Sequence, residues 1–210
     1  MTVWHSVDCP MLSDDDQPMG RSKQLAEINS AVTKLQRSLS NAFQQITEIR
    51  DLLALEGEER QAIPDLYKST RSELRTSAIQ VEQLRDANAP TNPKVRPEVM
   101  LMGTTCSAFI GMEVVALNLL LDALSLTGVA EGDDLEYLRS VIINCATVYD
   151  SHLSMVESTL RGGPDGALMF STMYRTNPDT QAATAAFNQM VADFPQFRVR
   201  VIGQNSPNAG

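Results

Sequence analysis

Two residues of this chain have side chains whose chemistry does not match their neighbours in the sequence. Glu113 sits among Met112, Val114, Val115 and Leu117. A carboxylate in such company must find a partner, reach an edge, or keep its proton. An arginine reaching over from another helix is the expected partner. His152 shares an apolar stripe with Cys145 and Tyr149 at three- and four-residue spacing. A lone imidazole on such a seam reads as a hydrogen-bonded core residue that sets helix register; a pH-responsive or ligand-contacting group is the other reading. Glu113 and His152 are therefore the candidate buried polar residues.

Neither has the companions that catalysis needs. The sequence has no GxGxxG or GxxxxGKS loop for phosphates, no HExxH, no GxSxG and no EF-hand pattern. Carboxylate metal centres in helical bundles use ExxH motifs, and none is present. Gly162, Gly163, Pro164, Asp165 and Gly166 precede a helical pattern, where an anion could bind, but no lysine follows and Asp165 has the wrong sign. They read as a turn. His5 and Cys9 stand four apart, and no further ligands are signalled beside them. The three cysteines, Cys9, Cys106 and Cys145, are an odd number without CxxC spacing, so they read as small hydrophobes in a reducing compartment. No catalytic, cofactor-binding or metal-binding residue is assigned, and the expectation is a protein that is not an enzyme and carries no cofactor.

The charge balance narrows the partners. With 26 acidic against 17 basic residues the formal net charge is −9, which repels polyanions and argues against nucleic acid. Lys68, Arg71 and Arg75 lie at helical spacing but alternate with Asp65, Glu73 and Glu82, a solvated face with paired charges. The first residues, MTVWHSVDCP, lack the basic start and apolar core of a signal peptide. An intracellular, cytoplasmic location follows as the expectation, or an assembly built from a cytoplasmic pool.

The elements that would hold Glu113 and His152 are helices. Aromatic residues make up only 5% of the chain, there are ten methionines, and Leu, Ala, Gln and Glu are plentiful. The run from Val99 to Leu126 carries only Glu113 and Asp122 as charges. It reads either as the central helix of a bundle or as a membrane span. Its Gly103, Ser107 and Gly111 fall four apart and let another helix approach closely. About ten Leu, Ile, Val and Phe residues at roughly −0.3 to −0.6 kcal/mol each barely offset a mid-span Glu costing about 2.5 to 3.5 kcal/mol plus Asn118 and the glycines. The core helix is preferred; a membrane-active protein that inserts residues 99–126 is the alternative.

Before this run, Leu25, Ile28, Val32, Leu35, Leu39, Ala42, Ile46, Ile49 and Leu53 alternate three and four apart, beginning after a candidate cap at Ser22. Their flanking positions are mostly uncharged, which suits a helix touching two neighbours. Pro64 opens a return arm to about Asn88, with a seam diluted by Thr70 and Ser77. Residues 89–97 contain three prolines and read as a linker. After the central run, Asp133 and Glu136 resemble a capping box for a heptad helix to about Leu160. A short helix to Arg175 and a last helix opened by Asn177 and Pro178, with Ala183, Phe187, Met190 and Phe194 on its inner side, complete the pattern.

Phe197, Val199 and Val201 alternate with Arg198 and Arg200, the period of a strand or extended arm. The predicted fold is all-α: a long antiparallel, coiled-coil-like hairpin (22–88), a Pro-rich linker (89–97) and a helical bundle around one central apolar helix (98–194). Extended termini flank these, an N-terminal arm (1–21) and a C-terminal arm (195–210). The expected function is self-association or scaffolding as a filament, virion or adaptor subunit. Its partners would be proteins, most simply further copies. The candidates for packing and association are Leu25, Ile28, Val32, Leu35, Leu39, Ile46, Ile49 and Leu53, the ridge Gly103, Ser107 and Gly111, and the terminal Trp4, Phe197, Val199 and Val201. Trp4, the only tryptophan, would anchor on a neighbour's groove.

Overall fold

A computed structural model describes residues 20–204, and the fold is all-α. Helices α1 (Arg21–Leu53) and α2 (Ile63–Ala87) form the hairpin, joined through a 3₁₀ turn at Glu58–Ala62. Helix α3 (Pro97–Leu126) is the central apolar run, and α4 (Gly132–Thr176) and α5 (Pro178–Gln204) complete the chain. Consecutive members of α1 to α4 run antiparallel. Gln24 at the start of α1 bonds Lys94 just before α3, whereas Tyr67 near the start of α2 bonds Leu121 near the end of α3.

The heptad positions of α1 explain its placement. Ile28, Val32, Leu35, Leu39, Ala42, Ile46 and Ile49 are buried, while Leu25 and Leu53 at the two ends are half-buried. Gln24 takes the buried place at the first turn, and Gly20 rather than Ser22 is the cap, without a side-chain hydrogen bond. The diluted seam of α2 is matched across the hairpin. Thr70 lies 2.7 Å from Gln45 Oε1, and Ser77 lies 3.1 Å from Ser38 Oγ, which in turn donates to Glu73 at 3.0 Å. These fully buried hydroxyls thereby keep partners.

Helix α3 is packed on α1, α2 and α4, so it buries residues on almost every side of its axis, including Met102, Cys106, Ile110, Glu113, Leu117 and Leu121. The ridge of small residues faces α2. A Cβ on Gly103 would stand 2.7 Å from Asn88 Cβ and closer still to its Cγ, so only glycine leaves room for this buried asparagine. The corresponding Cβ on Gly111 would be 3.8 Å from Val81, an ordinary contact.

Four sequence expectations are corrected on the C-terminal side. The expected loop 161–166 is a single break inside α4 at Gly163, whose φ of 58° and ψ of −143° suit only glycine; Pro164 then opens a second arm. That arm folds back on the first, since Gly166 lies so near that a Cβ would be 3.2 Å from Ser158 O. The expected extended arm at 195–201 is helical. Phe197 and Val201 are four apart and turn inward with Phe187 and Phe194, while Val199 points out, so a period of two was half of a helical pattern. Ala183, expected inside, is exposed, and Met190 is half-buried. Asn177 does cap α5, accepting from the backbone N–H groups of Asp179 and Thr180 at 2.9 and 3.2 Å. The expected capping box does not form, because α4 begins at Gly132 without a side-chain cap.

Replacing Gly103 by Ala must displace Asn88, and urea unfolding should show a loss of about 1–3 kcal/mol. Gly111→Ala should stay within about 0.5 kcal/mol of the parent; equal costs at the two positions would contradict this view of the ridge.

Candidate functional site

The interior of the bundle has one polar layer at Glu113 and a second at His152. Glu113 is completely buried. The arginine expected as its partner is not there. Gln36 of α1 donates from Nε2 to Glu113 Oε1 at 3.0 Å instead. Two buried atoms then lack a hydrogen-bond partner, Glu113 Oε2 and Gln36 Oε1, and both are acceptors when the acid is ionised. A proton on Oε2 turns one of these two acceptors into a donor.

The electrostatics agree. Burial raises the Glu113 pKa from 4.5 to about 8, opposed only by the Gln36 hydrogen bond. The titratable groups around it are also held neutral. Burial, with Glu113 second, pushes the Cys106 thiol up to about 12. Burial likewise raises the Tyr149 hydroxyl of α4, with the Ser40 hydroxyl pulling the other way. Tyr149 stacks on Phe43 of α1 at 4.6 Å between centroids, joining α4 to the hairpin.

His152 is a core histidine with both nitrogens occupied. Val148 O lies 2.8 Å from Nδ1, and a carbonyl can only accept, so Nδ1 carries the hydrogen. Nε2 is then the acceptor for the Tyr174 hydroxyl at 2.7 Å. Phe109 and Tyr174 close around the ring at centroid distances of 5.7 and 6.1 Å. Burial lowers the His152 pKa below 6.5. The bond to Tyr174 ties the second arm of α4 to the first.

Of the packing candidates, the α1 seam and Gly103 with Ser107 and Gly111 are interior or face α2, and Phe197 and Val201 are buried on the inner side of α5. Phe197 meets Tyr137 at 4.5 Å. Val199 is 74% exposed. Trp4, His5 and Cys9 lie outside the described residues. Of the basic residues singled out in the sequence, Arg71 of α2 reaches Asp122 of α3; Arg198 of α5 reaches the same carboxylate, and Arg200 forms two bonds to Asp134 at 2.7 and 2.9 Å. Cys106 and Cys145 are buried free thiols. Among the described residues no three metal-binding side chains come together.

Gln36 and Tyr174 were missed at the sequence level. Gln36 stands beside the a/d seam and looks like any solvated flank residue; its distance of 77 positions from Glu113 hides the pair. One further concave feature lies at the open end of the hairpin, a groove of about 810 Å³ between α1, α2 and the linker before α3. Its lining includes Ile28, Leu35, Leu84 and Val99, with Lys34 and Lys94 among the polar residues. No protein-family model, no curated protein and no solved structure matches this chain.

The two buried groups give stability opposite slopes with pH. Between pH 4.5 and about 8 the folded chain keeps a proton on Glu113 that the unfolded chain releases, so stability falls as pH rises through that window, by at most about 1.4 kcal/mol per unit. His152, depressed when folded, costs stability as pH falls below 6.5. Glu113→Gln removes the first slope. At pH 8 the variant should be more stable than the parent by on the order of 2–4 kcal/mol, with the gap narrowing toward pH 5. Parallel pH profiles for parent and variant would show that Glu113 is ionised in the fold.

Proposed function

We propose that this chain is a non-enzymatic structural protein that assembles with further copies of itself through α5. The interior supports this reading because Glu113 and His152 each take their hydrogen-bond partners from within the fold, Gln36 for the first and Val148 and Tyr174 for the second. The observation that carries it lies on the surface. Helix α5 buries Phe187, Phe194, Phe197 and Val201, and on its other side Ala182, Ala185, Gln189, Ala192, Gln196 and Val199 form a second stripe, three and four residues apart. All six are exposed and none is charged, in a chain where charged residues make up 20%. Small side chains let helix axes approach closely, and an uncharged stripe meets its own copy without repulsion. Leu168 and Met169 of α4 add exposed apolar side chains elsewhere on the surface, 52% and 58% exposed.

The second reading, membrane entry by α3, draws on its length of 30 residues and a mean hydropathy of 1.8 over its most apolar window. In this fold 67% of that window is buried against other helices, so insertion requires the bundle to open. Liposome flotation separates the two readings.

Light scattering coupled to sizing should give a mass above 23.0 kDa that rises with concentration. Ala185→Glu combined with Ala192→Glu, both at exposed positions, should return the protein to a monomer with an unchanged helical spectrum. A parent that is monomeric at every concentration rules out self-assembly, and assembly that survives the double variant moves it away from α5.

A further inference from the structure

The second arm of α4 lies back along the first and is fastened at identifiable points. Beyond the break at Gly163 it runs helically over 164–176 to Asn177, whose φ of −90° and ψ of 114° end it. Near the break, Gly166 lies against Ser158 and Thr159 of the first arm. Farther on, Phe170 and Tyr174 meet Phe109 of α3 at centroid distances of 6.0 and 5.2 Å, and the Tyr174 hydroxyl donates to His152 Nε2 at 2.7 Å. Helix α5 is fastened elsewhere, with Phe197 on Tyr137, Arg198 at Asp122 and Arg200 at Asp134. The arm is therefore a strap between two joints, Gly163 and Asn177.

Its polar clasp depends on one lone pair. Val148 O holds the hydrogen on Nδ1, so Nε2 is the nitrogen that takes a further proton, and the Tyr174 hydroxyl already occupies it. A proton there displaces the Tyr174 hydrogen and leaves a cation without a counter-charge. Tyr174 faces the ring from the second arm and Phe109 from α3, while Cys106 and Glu113, about one turn to either side of Phe109, are held in their neutral forms. Tyr149, one turn earlier on the first arm, is neutral as well. Asp150 and Glu157 of the first arm, Asp165 and Arg175 of the second, and every charged residue of α1 and α5 are exposed. The influences on the imidazole are burial first and the Val148 carbonyl second, with no charge among them. Moving the arm away opens Nε2 to water, which solvates the charge.

We propose that the second arm of α4 is an acid-released strap: a proton on His152 Nε2 frees 164–176 to swing away from the first arm about Gly163 and Asn177, baring Phe109 of α3. The open arm lets His152 take its proton at the ordinary 6.5 and the closed arm resists, so the open fraction rises as pH falls below 6.5, by at most about tenfold per unit. Glu113 has the opposite sign over the same range, since keeping its proton makes the fold more stable as pH falls from about 8 to 4.5. The arm thus loosens while the core around α3 tightens. The strap is separate from the outer stripe of α5, so it stands or falls independently of self-assembly.

Hydrogen exchange read by mass spectrometry between about pH 7.5 and 5.5, corrected for the intrinsic pH dependence of amide exchange, follows the arm and the core separately. Peptides from 164–176 should lose protection by up to about tenfold per unit below 6.5, while those from 28–49 and 102–121 lose none. His152→Phe keeps a ring against Phe109 and should give an arm whose protection does not change with pH. Tyr174→Phe removes the clasp's donor and should lower protection of the arm severalfold already at the upper pH, with the core unchanged. Constant protection of the parent's arm across the range overturns the proposal, as does a loss that persists in His152→Phe. A loss shared equally by the core peptides, or an arm unmoved by Tyr174→Phe, overturns it too.

Discussion

Helix α3 keeps only a narrow exposed edge, at Ala108, Val115 and Ser125, and Glu113 lies on its buried side, where its carboxyl is shut off from water. The hairpin supplies Gln36, an amide that donates to one carboxyl oxygen and leaves its own oxygen free. An amide and a neutral carboxylic acid complement each other, whereas an amide and a carboxylate leave two acceptors without a hydrogen. Glu113 and Gln36 thus tie α1 to α3 through one hydrogen bond, and a proton on Glu113 removes one of the two unmatched acceptors. An arginine in place of Gln36 would have fixed the charged form and brought a second ion into a low-dielectric interior, which costs more than it returns unless every donor is matched.

The same economy is visible in the other buried polar groups. Thr70 and Ser77 pair with α1, Asn88 donates to Leu84 O at 2.8 Å above Gly103, and His152 is held between Val148 and Tyr174. Each pairs locally or across one helix interface with a neutral partner. The ion pairs are outside. Arg71, Arg198 and Arg200 hold Asp122 and Asp134 at the surface, where they orient α2 and α5 on the ends of α3 and α4 and contribute little energy individually. Helix α5 is the least embedded element. Its inner stripe of Phe187, Phe194, Phe197 and Val201 is enough to dock it, and its outer stripe remains available.

The helical hairpin and the central helix were legible because their signal is periodic and local. Nine apolar positions in α1 repeat three and four apart, and Pro64, Pro97 and Pro178 stand in the first turns of three helices. The C-terminal arm was misread because Phe197, Val199 and Val201 satisfy a period of two over too short a span; adding Phe187 and Phe194 to the count shows the helical period through Pro195. The turn at 161–166 was visible in its glycines, but its compactness depends on how closely Gly166 lies against Ser158, a contact with no sequence signature. Glu113 and His152 stood out as residues out of place. Their partners did not, since a glutamine on a helix flank and a tyrosine on a short helix are common and nothing in the spacing links them.

The central claim is that Glu113 is a neutral acid paired with Gln36 in the folded protein, and carbon-13 NMR of protein labelled at the glutamate carboxyl tests it most directly. The account predicts one resonance, absent from the Glu113→Gln protein, that has the shift of a protonated carboxyl at neutral pH and titrates near pH 8. If every glutamate carboxyl has the shift of an ionised group at neutral pH and titrates near the ordinary 4.5, α3 carries a buried charge and the account is wrong.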